Sequence, residues 1–226
     1  MCGRFVRFSP LRVFGDLFDC PAPPDLPARY NIAPTQPLPV VRVLRAGPAG
    51  TGREWAVVRW GLIPPWADDP SIGNRLINAR AETAAEKPSF RSVMRHRRCL
   101  VPADGFYEWP KASGKGPKQP YLIRLKTGQP FAFAGLWESW TSPDGEVIES
   151  CTILTIEANE VLSAIHDRMP VIIAPEDSSR WLDPATPLEE VKALLRPYPP
   201  EEMESVAVST VVNNPRNESP QCVEPV

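Results

Sequence analysis

The sequence predicts an α+β fold: a single domain spanning residues 1–226, with a largely antiparallel sheet rolled into a barrel-like core and short helices on its flanks. Three observations carry that expectation. Runs rich in β-branched and aromatic residues recur with close turns between them, the helical periodicities are short, and no linker of Gly, Ser or like charges divides the chain. A length of 226 residues suits one large domain, and 29 prolines with 13 glycines make it loop-rich without the composition of a disordered chain.

Ser9 followed by Pro10 reads as a helix cap and first helical residue, and Leu11, Phe14, Leu17 and Phe18 continue it as an apolar stripe. Residues 21–39 are Pro-rich and irregular, and contain Arg29-Tyr30-Asn31-Ile32-Ala33-Pro34. Residues 39–45 and 53–60 read as two strands around a Gly-rich turn at 47–52. Further strands are expected at 98–102, 120–126, 130–137, 147–156, 170–174 and 206–212, and helices near 88–96, 158–165, 176–182 and 187–195.

Composition narrows the function. The stretch from Phe131 to Trp137 is far too short to span a bilayer, and Arg4, Arg7 and Arg12 interrupt any signal-peptide core. Five dispersed cysteines without a Cys-x-x-Cys pair, and only two histidines (His96 and His166), call for neither zinc nor any other cofactor and suit a reducing cytoplasm. The net charge of −2 conceals a segregation: basic side chains gather in residues 71–130 and acidic ones in 131–226. The basic segment is either a footprint for a polyanion or one of two solvated faces that interleave in space.

Cys2 is the most informative residue. Initiator Met is commonly removed before a small residue, and an N-terminal cysteine then carries an amine and a thiol on adjacent carbons. Their reference pKa values, near 7.7–8.0 and 8.5, leave both partly nucleophilic at neutral pH. The amine forms a Schiff base with an aldehyde, and the thiol closes onto the same carbon to give a thiazolidine. A cysteine after Met can equally be accidental. His166, in His166-Asp167-Arg168-Met169-Pro170, is a proton-transfer candidate or a packed surface histidine. Asn78, Arg80 and Glu82 alternate, so extended backbone puts them on one face, where Asn and Arg suit a sugar and a phosphate; a helix start with an ordinary surface pair fits as well. Glu108 stands among aromatics in Asp104-Gly105-Phe106-Tyr107-Glu108-Trp109, where burial would raise its pKa, unless it faces solvent on an alternating strand. Trp60-Gly61-Leu62-Ile63-Pro64-Pro65-Trp66 is a stiff loop able to stack bases or to join the core.

Together these segments resemble the SRAP family, the SOS-response-associated peptidase proteins that shield abasic sites in single-stranded DNA. The resemblance runs from Met1-Cys2-Gly3-Arg4-Phe5 through Arg29-Tyr30-Asn31, Trp60-Gly61, residues 78–83, Asp104-Gly105, Glu108-Trp109 and residues 166–170 to Val212-Asn213-Asn214 and Glu224-Pro225-Val226. It implies a protein that loses Met1, by its own peptidase activity or by a cellular enzyme. Cys2 then cross-links the aldehyde of an abasic deoxyribose as a thiazolidine, with lyase chemistry as a further possibility. It implies that Asn78 holds the sugar, that Glu108 protonates the ring oxygen and that His166 assists proton transfer. Arg4, Arg80 and Arg168 would grip phosphates, with Asn31 also at the DNA, while Pro34 and Trp66 wedge against bases. The expected partner is single-stranded DNA carrying abasic sites, with no membrane, in the cytoplasm at the nucleoid. Ala67 departs from the second aromatic that family members often carry after the loop Trp. Two rivals stand beside this reading: a thiol peptidase acting on other proteins, with Cys2 as nucleophile and His166 as base, and a non-covalent single-strand binding protein that uses the basic segment and the Trp loop and needs no Cys2.

Overall fold

Aromatic side chains set how two sheets of this protein meet. The computed structural model describes residues 2–43, 52–110 and 117–226. Thirteen strands run through these residues: β1 Phe5–Arg7, β2 Arg29–Ile32, β3 Pro37–Val43, β4 Arg53–Trp60, β5 Asn78–Arg80, β6 Arg98–Ala103, β7 Gly105–Glu108, β8 Tyr121–Leu125, β9 Phe131–Thr141, β10 Val147–Glu157, β11 Arg168–Pro170, β12 Ile172–Ile173 and β13 Met203–Ala207. In the larger sheet β4, β3, β6, β9 and β10 pair antiparallel in that order. A short parallel contact, Ser150↔Arg59 and Cys151↔Trp60, joins β10 back to β4 and closes a five-stranded barrel. The smaller sheet has the order β13-β8-β7-β1-β2 and is antiparallel throughout.

Phe5 of β1 ties the sheets together. Its ring meets Trp60 edge-on at 5.3 Å and Phe133 at 5.6 Å, while Phe106 meets Phe133 at 5.9 Å. Such pairs contribute about 0.5–1.5 kcal/mol each beyond area burial. The opposite face of the smaller sheet is also covered: Val6, Tyr107 and Leu122 pack with Val208, Val212 and Cys222 of the closing segment.

The expected fold class holds, and the strands at 39–45, 53–60, 98–102, 120–126, 130–137 and 147–156 fall on β3, β4, β6, β8, β9 and β10. The four expected helices coincide with Arg91–His96, Glu160–Ser163, Ser178–Leu182 and Leu188–Ala193. Differences are local. Leu11–Leu17 is helical, but its N-cap is Pro10, because the Ser9 hydroxyl and backbone N–H are both spent on Asp104. The strand expected at 170–174 is two short ones, since β11 pairs with β10 and β12 with β9. The strand expected at 206–212 lies earlier, at Met203–Ala207, and Thr210–Asn213 is a 3-10 turn. The turn expected at 47–52 lies, apart from Gly52, outside the described residues.

One strand places the site. β10 leaves β4 after Cys151, then takes β5 in parallel (Ile153↔Asn78, Thr155↔Arg80) and β11 antiparallel (Thr155↔Pro170, Glu157↔Arg168). Thr155 pairs on both sides, so β10 lies between the strand of Asn78 and the strand that follows His166.

Candidate active site

Cys2 precedes β1, and β1 pairs with β7 in the register Phe5↔Phe106. The Tyr107 N–H donates to the Arg4 carbonyl at 2.9 Å. That antiparallel register runs Cys2 and Gly3 alongside the end of β7, where Glu108 lies. Asn78 reaches in from β5, and its Nδ2 donates to the Cys2 carbonyl at 2.7 Å. The Asn78 Oδ1 is buried and has no hydrogen-bond partner among the described residues. Burial pushes the Cys2 thiol well above its ordinary value, and the charge of Glu108 adds to the rise. The thiol is therefore held protonated until a base takes its proton.

Glu108 is itself buried, and burial, with a smaller contribution from the charge of Asp167, pushes its carboxyl up to about 7. At that value it is populated both as acid and as carboxylate near neutrality, the condition for proton transfer in either direction. Phe106 and Tyr107 are fully buried as well, so β7 is covered on both faces and the solvent-facing alternative for Glu108 does not apply. Asp104, the other carboxylate of the motif, instead accepts from the Phe8 and Ser9 backbone N–H groups at 2.7 and 2.9 Å and anchors that turn.

His166 follows the helix Glu160–Ser163 and is half-buried. Its Nδ1 accepts from the Arg168 backbone N–H at 3.0 Å and lies 3.0 Å from Asp167 Oδ1. The first contact suits the neutral ring with its proton on Nε2, and the second suits the protonated ring. Both charge states have a partner.

The expected DNA contacts divide. Arg80 is exposed beside Asn78, and Trp66 is 56% exposed. Pro34 is half-buried in a turn whose Thr35 N–H donates to the Trp60 carbonyl at 2.8 Å, which joins it to the base of the Trp66 loop. Arg168 is held by protein groups. Its guanidinium forms a two-pronged pair with Glu82 at 2.6 and 2.8 Å and donates to the Thr155 carbonyl at 2.6 Å, so its charge is already matched. Asn31 is fully buried, with its side chain bonded to protein groups. The sequence signal for the Glu82 partnership is its alternation with Asn78 and Arg80.

The sequence profile of the family described as SOS response associated peptidase (SRAP) matches residues 1–215. The chain belongs to this family. The abasic site processing protein YoqW of Bacillus subtilis is 44% identical over 229 residues, with 99% of each chain covered. The abasic site processing protein HMCES of Pongo abelii is 37% identical over 201 residues, covering 76% of this chain and 56% of that protein. A solved structure of a protein from Bacteroides thetaiotaomicron superposes with a TM-score of 0.78 at 29% identity, covering 89% of this chain and 87% of that one. Another, from Bordetella bronchiseptica, gives 0.77 at 29% identity over 92% and 100% of the respective chains.

Within this SRAP chain the segregated charges interleave in part: Arg97 pairs with Glu138 and Arg124 with Glu204, each joining the basic segment to the acidic one. No helix among the described residues is long and apolar enough to cross a membrane. The Trp66 loop is stiffened at its base, where Gly61 adopts φ +125° and a Cβ on it would stand 2.5 Å from the Gly73 carbonyl. Trp140 Nε1 donates to the Ala67 carbonyl at 2.7 Å on the far side of Trp66. An exposed aromatic on a braced loop suits base stacking, worth about 1–3 kcal/mol per base. Trp66→Ala should therefore weaken binding to a single-stranded oligonucleotide by roughly 5- to 100-fold in fluorescence anisotropy; unchanged affinity would remove Trp66 from the DNA path.

Proposed function

We propose that this SRAP protein captures abasic sites in single-stranded DNA through Cys2, once Met1 has been removed by hydrolysis of the Met1–Cys2 bond, and that the protein catalyses that removal itself. Met1 lies outside the described residues. The observation that carries the reading is the grouping around Cys2: Asn78 on its carbonyl at 2.7 Å, and a buried carboxyl titrating at about 7 that acts on its thiol. The names of its relatives, abasic site processing proteins, point to the same substrate.

The chemistry follows from these groups. An abasic sugar is mostly a closed hemiacetal, so Glu108 in its acid form protonates the ring oxygen while the anomeric hydroxyl gives up its proton to His166 or water, and the ring opens to the aldehyde. The Cys2 amine adds to that carbon, and loss of water gives the imine. The thiol adds to the imine carbon, its proton passing to the Glu108 carboxylate or to His166, while the former imine nitrogen takes up a proton. One water leaves overall, and a carbon–sulfur and a carbon–nitrogen bond remain. Lyase activity is the competing exit from the imine, since an imine acidifies the neighbouring carbon for β-elimination of the 3′ phosphate. Ring closure removes the imine, and the strand stays intact.

Arg80, exposed beside Asn78, is the cation best placed to meet a flanking phosphate. The direct test is incubation of the Met1-free protein with single-stranded DNA bearing one abasic site, followed by denaturing electrophoresis. A heat-stable band of added protein mass is expected. Binding without any such band, on damaged and undamaged strands alike, would favour a non-covalent binding protein instead.

A further inference from the structure

We propose that Asn31 is a positioning residue for a DNA phosphate site centred on Arg4, and that the closing segment 210–217 is part of that site. This rests on the reading of the protein as a DNA-binding SRAP protein, and it deepens that reading by assigning the residues that aim one cation.

The geometry is a chain of contacts. Asn31 Oδ1 accepts from Arg4 Nη1 at 2.7 Å, and the same Nη1 reaches the Val212 carbonyl at 3.0 Å. Asn31 Nδ2 faces three carbonyls of the closing segment, Asn217 at 2.8 Å, Asn214 at 3.0 Å and Val212 at 3.3 Å. Trp109 lies against the Arg4 guanidinium at 5.8 Å from its ring centre, and its Nε1 donates to Asn213 Oδ1 at 2.6 Å. Glu218 then fastens the segment to β2, accepting from Arg29 Nε at 2.8 Å and the Asn31 N–H at 3.1 Å.

Electrostatics gives this arrangement its meaning. Both groups that hold Arg4 Nη1 are neutral, so they fix the guanidinium without cancelling its charge. Arg168 is the contrast, matched by the Glu82 carboxylate. Among the described residues Arg4 Nη2 has no hydrogen-bond partner, and Nε is buried without one. A half-buried guanidinium with uncancelled charge and unused donors suits an anionic oxygen, and a DNA phosphate supplies one. Asparagine is the residue type required at position 31. An aspartate would set a negative charge against three carbonyls and neutralise Arg4, and an alanine would release both Arg4 and the segment.

The test is a double-mutant cycle on affinity for an undamaged single-stranded oligonucleotide, which reads phosphate binding whether or not any covalent step occurs. Asn31→Ala and Arg4→Ala should each weaken binding about tenfold and each lower the salt slope by about 0.7. The double variant should bind no more weakly than Arg4→Ala alone, since Asn31 acts only through Arg4. Independent, additive losses, or an Asn31→Ala protein with wild-type affinity and slope, would overturn the proposal. Thermal unfolding checks each variant. If Asn31→Ala lacks a cooperative transition, Asn31→Ser is taken through the same cycle, and failure of both to fold would assign Asn31 to stability and sink the proposal.

Discussion

With Cys2→Ala, single-stranded DNA carrying an abasic site should yield no heat-stable adduct, while the Met1-free wild type converts it. This is the largest effect expected of any single substitution here, because it removes a bond and not a contact. A lysine elsewhere can form an imine with the same aldehyde but has no thiol on the adjacent carbon, so its product reverses on heating. Cys2→Ser separates the two nucleophiles. It keeps the N-terminal amine, and its hydroxyl closes a less stable ring, so borohydride should trap an imine that heat alone releases. Because that imine persists, Cys2→Ser should also cut the strand by β-elimination more than the wild type does. A protein that retains Met1 should be inert, since its amine is displaced by one residue from the thiol. Equal adducts from Cys2→Ala and wild type would remove the thiazolidine mechanism altogether.

The sheet was legible where alternation and length were sufficient. β3, β4, β9 and β10 are seven to eleven residues of branched and aromatic side chains, long enough for periodicity to show. The elements that position the site were not. β1, β5 and β11 have three residues each, too few for any period, and β7 is buried on both faces, so its alternation carries no polar signal. They are strands because neighbours supply partners: the long β10 holds β5 and β11 on its two sides, and β1 and β7 pair with each other within the smaller sheet. Local sequence cannot report such a context. The site residues were legible as chemical types, a cysteine after Met and a carboxylate among aromatics, and their grouping came only with the fold. The protein partners of two residues were not legible: Asn31 and Arg168 carry groups that suit DNA, and the closing-segment carbonyls and the Glu82 carboxylate that hold them lie 181 to 186 and 86 residues away in sequence, beyond any motif.

Glu108→Gln should slow adduct formation and at the same time stabilise the fold at neutral and alkaline pH. The two effects share one cause. Glu108 is buried, and its carboxyl is raised from 4.5 to about 7. A carboxyl raised on folding binds its proton more tightly in the native state, so its contribution is fully present below the unfolded value and is lost as pH rises through about 7. At 1.36 kcal/mol per unit, that loss amounts to about 3 kcal/mol across the window. Glutamine has no proton to lose. The stability of Glu108→Gln relative to wild type should therefore climb between pH 4.5 and 7.5, by the equivalent of roughly 6–12 °C in melting temperature. A difference that stays flat across that range would mean that the carboxyl is not held protonated by the fold. Catalysis moves the other way. Wild-type single-turnover rates should pass through a maximum near neutrality, rising as the amine loses its proton and falling as Glu108 ionises. Glu108→Gln should run about 10²–10⁴-fold slower, the usual contribution of a general acid. Its profile should keep the rising limb and lose the falling one. A variant as fast as wild type, with the alkaline limb intact, would take ring opening away from Glu108 and leave His166 as the proton donor.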